Sequence, residues 1–140
     1  MFRDRESGSE FEKDFIKRQL QKLMQALRQV LNRAQSAQRM DEAEESLRQA
    51  ASKALKLDMT HLAAVEVGSC AAILGTGDRI RMYAQVLRAE SELLRLRGRE
   101  QESTDRLRRA LRLYDEAARR APPDEEDLRE HGALRSMLES

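Results

Sequence analysis

The sequence predicts an all-α protein of five to six antiparallel helices, and three observations carry that prediction. Apolar residues recur at alternating spacings of three and four. No stretch alternates apolar and polar with the period of a strand. Only two prolines and six glycines are present to interrupt long helices. Seven-residue apolar repeats joined by short links favour antiparallel packing at shallow crossing angles. With 140 residues the chain has the size of one domain, long enough to bury a core. Aromatics make up 4% and Trp is absent, so that core must be built from Leu, Ala, Val and Met.

Residues 1–8 are charged, carry Ser7 and Gly8 and show no period, which reads as a disordered tail ahead of a single helical domain over 9–140. Ser9 with Glu12 three residues later forms a capping-box pattern that opens a helix. Ile16, Leu20, Leu23, Leu27, Val30 and Ala34 then form a heptad seam, widened by Phe11, Phe15, Met24 and Leu31. This first helix is expected over about 10–36. Asp41 can cap a second, whose seam is Ala43, Leu47, Ala50, Ala54 and Leu57. Asp58 or Thr60 caps a third, apolar nearly all round from Leu62 to Leu74, which is expected to be buried at the centre of the fold. Gly75 suits a C-cap and Asp78 an N-cap. A fourth helix carries Met82, Val86, Ala89, Leu93 and Leu96, flanked by Tyr83, Leu87 and Leu94, and ends at Gly98. A fifth carries Leu107, Leu111, Tyr114, Ala118 and Ala121 and stops at Pro122-Pro123. Asp124–Asp127 load the first turn of a last helix with acid, in keeping with the helix dipole, and Leu128, Leu134 and Met137 form its apolar side to about Leu138. Helices one–two and four–five are expected to form two hairpins joined by the buried third helix.

The second members of the two hairpins are alike: Ala43, Leu47, Ala50 and Ala51 superpose on Ser103, Leu107, Ala110 and Leu111. With Gly98 at the turn, this pattern is similar to the second helix of a tetratricopeptide repeat. It departs from that family in lacking the proline after the repeat, because the fifth helix continues through Tyr114, and in lacking the period of about 34 residues. The chain is therefore similar to tetratricopeptide-like hairpins without being a member. Asp14-Phe15-Ile16 followed by Arg18 and Gln21, with Leu55-Lys56-Leu57-Asp58 before Leu62, resembles a family of small bacterial all-helical proteins to which no activity is assigned. The resemblance implies the helical fold and a bacterial cytoplasmic setting. It carries over no functional residue.

Composition narrows the function. Net charge is +1, from 26 basic and 25 acidic residues, unlike a globally basic nucleic-acid binder. Cys70 is the only cysteine, which fits a reducing compartment and leaves no zinc cluster. The amino terminus has no apolar segment behind its charges, as a secretory signal would, and the longest apolar stretch is interrupted by Glu66 and too short to span a bilayer. A cytoplasmic protein with no membrane partner is the expectation.

Candidate chemistry is sparse. His61 and His131 lie far apart in sequence, with no cluster or Glu-x-x-His pattern around them, so they read as structural and no metal is expected. Cys70, on the apolar helix, reads as a small core residue. Gly75-Thr76-Gly77, with Arg79 and Arg81 beside it, stands before a helix as a phosphate loop does. It lacks the preceding strand and the Lys-Ser/Thr pair, so it reads as a helix–helix turn. Residues 79–120 hold 12 Arg against 7 acids, among them Arg88, Arg95, Arg99, Arg106, Arg108, Arg109, Arg112, Arg119 and Arg120. Such a patch could bind nucleic acid or another anion. The plain reading is a solvated face with pairs such as Glu92–Arg88 and Glu102–Arg106, or a surface on which the acidic tail folds back. Missing aromatics disfavour nucleic acid. Glu90 falls in an apolar flank and would need an arginine partner.

No catalytic, cofactor or metal residue emerges. The expected function is a protein–protein interaction or self-association module, anchored by Phe11, Phe15 and Met24 on the first helix, with a second copy or another protein as partner. Nucleic-acid or anion binding through residues 79–120, and an enzyme with a site of unfamiliar form, are the rivals.

Overall fold

The computed structural model describes residues 37–139, together with positions 14, 15, 17, 18, 21, 22, 25, 28 and 29 ahead of them. Those nine positions are helical. Six helices follow: α1 (Ala37–Leu55), α2 (Met59–Ala64), α3 (Val67–Leu74), α4 (Gly77–Leu96), α5 (Glu100–Arg120) and α6 (Glu125–Glu139). No strand occurs among the described residues, and no helix there is long and apolar enough to cross a membrane. The predicted pairing of the opening helix with α1 lies outside the described residues.

The most buried element is α4. Twelve of its 20 residues are buried, including Ile80, Met82, Tyr83, Val86, Leu87 and Leu93. It forms an antiparallel hairpin with α5, while α1 packs on α4 and both α3 and α6 pack on α5. This corrects the expectation that residues 62–74 would lie at the centre. That stretch is two short helices, not one, because Val65 and Glu66 are extended. The break has a partner: a guanidinium nitrogen of Arg109 donates to the carbonyls of Leu62 and Val65, both at 2.7 Å, which a continuous helix would satisfy internally. The stretch buries Leu62, Cys70, Ala71 and Leu74 but leaves Ala63, Ala64, Ala72 and Ile73 exposed. It covers one flank of the hairpin.

Local chemistry sets most of the ends. Asp58 caps α2 by accepting from the Thr60 amide at 2.9 Å. Gly75, at φ +88°, ends α3, and Thr76, not Asp78, caps α4 by accepting from the Arg79 amide at 3.2 Å. Gly98, at φ +79°, turns the hairpin so that the Arg99 amide reaches the Leu94 carbonyl at 2.9 Å. Gly77 answers a packing demand: a Cβ there would stand 2.8 Å from the Ala121 Cβ and 3.1 Å from the Ala117 carbonyl oxygen. The start of α4 and the end of α5 approach that closely because the position has no side chain. Near the hairpin turn the buried Ser91 and Ser103 face each other. Ser103 Oγ donates to the Ser91 carbonyl at 2.8 Å, and Ser91 Oγ has the Ser103 carbonyl at 2.9 Å or Ser103 Oγ at 2.7 Å for its one proton.

Three apolar faces are rotated from those predicted. In α1 the buried row is Ala43, Leu47, Ala51 and Leu55, and Ala50, Ala54 and Leu57 are only half-buried. In α5 it is Leu107, Ala110, Leu113, Tyr114 and Ala117, with Ala118 exposed. In α6 only Asp127 and Leu134 are buried, whereas Leu128 and Met137 face solvent. Alanine explains the first two, because it adds little apolar area and leaves the phase of a seam weakly specified. Leu96, placed in the α4 seam, is also exposed, past the last packed turn.

Candidate functional site

A cluster of polar side chains lies where the amino-terminal helical positions meet α4 and α6. Lys17, Gln21, Gln25 and Arg28 recur with helical spacing. They line a cleft of about 400 Å³ with Gln85 and Arg88 of α4 and Glu126 and Glu130 of α6. Its lining of three cations, two carboxylates and three amides is polar throughout. The charges largely answer one another: Lys17 Nζ lies 3.6 Å from Asp124 Oδ2 and 3.5 Å from Glu126 Oε2, and Arg88 pairs with Glu130.

Beside the cleft, α6 is seated on the hairpin by further polar groups. The Arg81 Nε is 3.5 Å from Asp127 Oδ2 with both side chains buried, and an Arg81 guanidinium nitrogen donates to the Ala121 carbonyl at 2.5 Å. Asp127 also closes the start of α6: its amide donates to Asp124 Oδ1 at 2.8 Å, and its Oδ2 accepts from the Asp124 amide at 3.1 Å. Burial pushes the Asp127 carboxyl up, and the Asp124 amide and Arg81 draw it back. Tyr114 stacks on His131 with ring centroids 5.6 Å apart, and burial followed by the charge of Glu130 pushes its hydroxyl up. His131 Nε2 lies 3.2 Å from Asp115 Oδ1. The acidic tail thus folds back on the basic helices, as one reading of the sequence had it.

The arginines of 79–120 are engaged mainly within the fold. Arg88 holds Glu130, not Glu92, and Arg106 holds Glu90, not Glu102. Arg97 pairs with Asp41 and Glu44 of α1. Arg99, Arg108 and Arg119 make short-range surface pairs with Glu102, Asp105 and Glu116. Arg95, Arg112 and Arg120 are exposed. No protein-family model, curated protein or solved structure matches this chain. The site is therefore read from its own chemistry.

Of the three anchors expected on the opening helix, Phe15 is described and is 53% exposed. Phe11 and Met24 lie outside the described residues. Glu90 is half-buried, with Arg106 Nε 3.2 Å from its Oε2; burial pushes its carboxyl up from 4.5, and Arg106 and Arg48 oppose that. Cys70 is fully buried, and burial raises its thiol against the nearby Arg109. The same arginine lies by Tyr83, whose hydroxyl burial pushes up to about 12. His61 is exposed on α2, and neither it nor Glu90 lines the cleft. Among the described residues no group of His, Cys, Asp and Glu is placed to hold a metal ion.

Sequence reasoning did not find the cleft. Its walls come from three separate stretches, and no spacing rule links Gln21 to Gln85 or Lys17 to Glu126. The one signal available was the opposition between the basic 79–120 segment and the acidic tail.

Proposed function

We propose that the protein is a non-catalytic helical interaction module of the bacterial cytoplasm, associating with itself or with another protein through its amino-terminal helix. The exposure of Phe15 carries this reading. The chain has five Phe and Tyr residues in all, and both tyrosines are buried, yet this phenylalanine is more than half exposed. A large apolar side chain held in water is the kind of anchor that an interface desolvates.

The internal pairing of the arginines supports this reading over anion binding, because a guanidinium already bound to a carboxylate or carbonyl offers less to a phosphate. Substituting Phe11, Phe15 and Met24 together by alanine, followed by light scattering over a range of concentrations and capture of partners, tests the proposal. Loss of self-association or of capture is expected. Unchanged behaviour in both would sink it.

A further inference from the structure

We infer that α6 is an exchangeable strap: the seat it occupies on the α4–α5 hairpin can be filled equally by the α6 of a second copy, giving a reciprocally swapped dimer. The inference deepens the self-association reading without depending on the phenylalanine face.

Three observations lead to it. The first is what holds α6. It buries one apolar residue, Leu134, with Leu138 partly buried beside it, against nine buried apolar residues in α4. Among its further links to the body are Asp127 to Arg81, Glu130 to Arg88, Glu126 to Lys17, and His131 against Asp115 and Tyr114. The second is charge. Residues after Pro123 carry six acids and two arginines, and four of the acids, Asp124, Glu126, Asp127 and Glu130, sit against Lys17, Arg81 and Arg88. The seat recognises an acidic amphipathic helix bearing Asp127, Glu130, His131 and Leu134, which recur with helical spacing.

The third is the joint. Residues 121–124 connect α5 to α6 outside any helix, and Ala121 is extended at φ −150° and ψ 138°. Pro122 and Pro123 enforce that: each removes a backbone donor and holds its predecessor out of the helical region. The joint therefore cannot continue α5 into α6 as one helix, and α6 leaves the hairpin as a separate element whose direction residues 121–124 set. In a swapped dimer every contact between α6 and its seat is regained, and only the path of the joint changes.

The test uses two full-length chains, Arg88→Glu and Glu130→Arg. Alone, each places like charges across the α4–α6 contact, in its own fold or in a swapped homodimer. Mixed, they can form a heterodimer in which both contacts are again opposite in charge. Native mass spectrometry is expected to show each variant alone as monomer and the mixture as a one-to-one heterodimer. A mixture showing only the species each variant gives alone overturns the inference. A dimer built on the Phe15 face would ignore these charges and give dimers of each variant alone plus a statistical mixture, so the two failures are distinguishable. Should either variant not fold, hydrogen exchange on the unaltered protein decides. Amides of α6 are expected to open ahead of those of α4 and α5, and faster as salt is raised. Exchange of all three helices as one unit overturns the inference.

Discussion

The α4–α5 hairpin and α6 differ in what holds them, although all three helices carry many charged residues. The hairpin is closed by apolar rows, by a serine pair at one end and by a missing Cβ at the other. The strap buries one leucine fully and a second in part, stacks His131 on Tyr114, and adds a set of ionic links, the innermost of which is buried. Burial of an apolar row gains a modest amount per residue and fails gradually when trimmed. A buried ion pair contributes little net stability while intact and fails abruptly when one partner is removed. The hairpin should therefore tolerate conservative change better than its modest neighbour.

The largest effect tests the ionic side. Arg81→Met leaves the Asp127 carboxylate buried without its counter-charge and the Ala121 carbonyl without its donor, at a cost of about 3–5 kcal/mol in chemical denaturation. Adding Asp127→Leu is expected to restore much of that loss. If the double variant is no more stable than the single, the pair is not the anchor.

A smaller effect tests the apolar side. Gly77→Ala puts a Cβ into the closest approach of the hairpin and is expected to destabilise by about 1–3 kcal/mol. Gly98→Ala meets open space but a left-handed φ, at a cost of roughly 1–2 kcal/mol. Equal tolerance at both glycines would show that crowding at Gly77 is relieved by movement of Ala121.

The smallest effect concerns pH. Burial raises the Glu90 carboxyl above its ordinary 4.5, so the folded state holds that proton more tightly than the unfolded chain. Its contribution to stability is complete below pH 4.5 and is lost as pH rises through the folded value. Urea titrations from pH 4 to about 7 should show a downward component in stability that Glu90→Gln removes. An identical slope in both proteins would mean that Arg106 cancels the burial cost.

Much of this architecture could be read from the chain. The helical class, the α4 core face from Met82 to Leu93, the ends at Gly75, Gly98 and Pro122, and the need of Glu90 for an arginine all follow from local rules. The errors have a common cause. The break at Val65-Glu66 depends on Arg109, more than forty residues away, and the rotation of the α6 face depends on Arg81 drawing Asp127 inward. Each turns on a polar contact between groups far apart in the chain, and nothing near Asp127 in sequence reveals its partner. The cleft was hidden for the same reason.

Three of the arginines carry a consequence for how the chain acquires its structure. Arg79 donates to the Leu55 carbonyl at the end of α1, Arg109 to carbonyls at the end of α2, and Arg81 to the Ala121 carbonyl at the end of α5, across 24, 47 and 40 residues. A helix end closed by glycine is complete as soon as its own residues exist. Ends closed by a distant guanidinium wait for it. A nascent chain that has emerged only through α3 still lacks both Arg79 and Arg109. Of the two helices these arginines reach, α1 has 19 residues and closes its end locally, with Lys56 at φ +57° and the Leu57 amide on the Ser52 carbonyl at 3.3 Å, whereas α2 has six residues, a length marginal in water on its own, and its end waits for Arg109. Synthesis of α5 thus sets the moment at which the end of α2 is closed, and that short helix is gained together with the hairpin instead of before it.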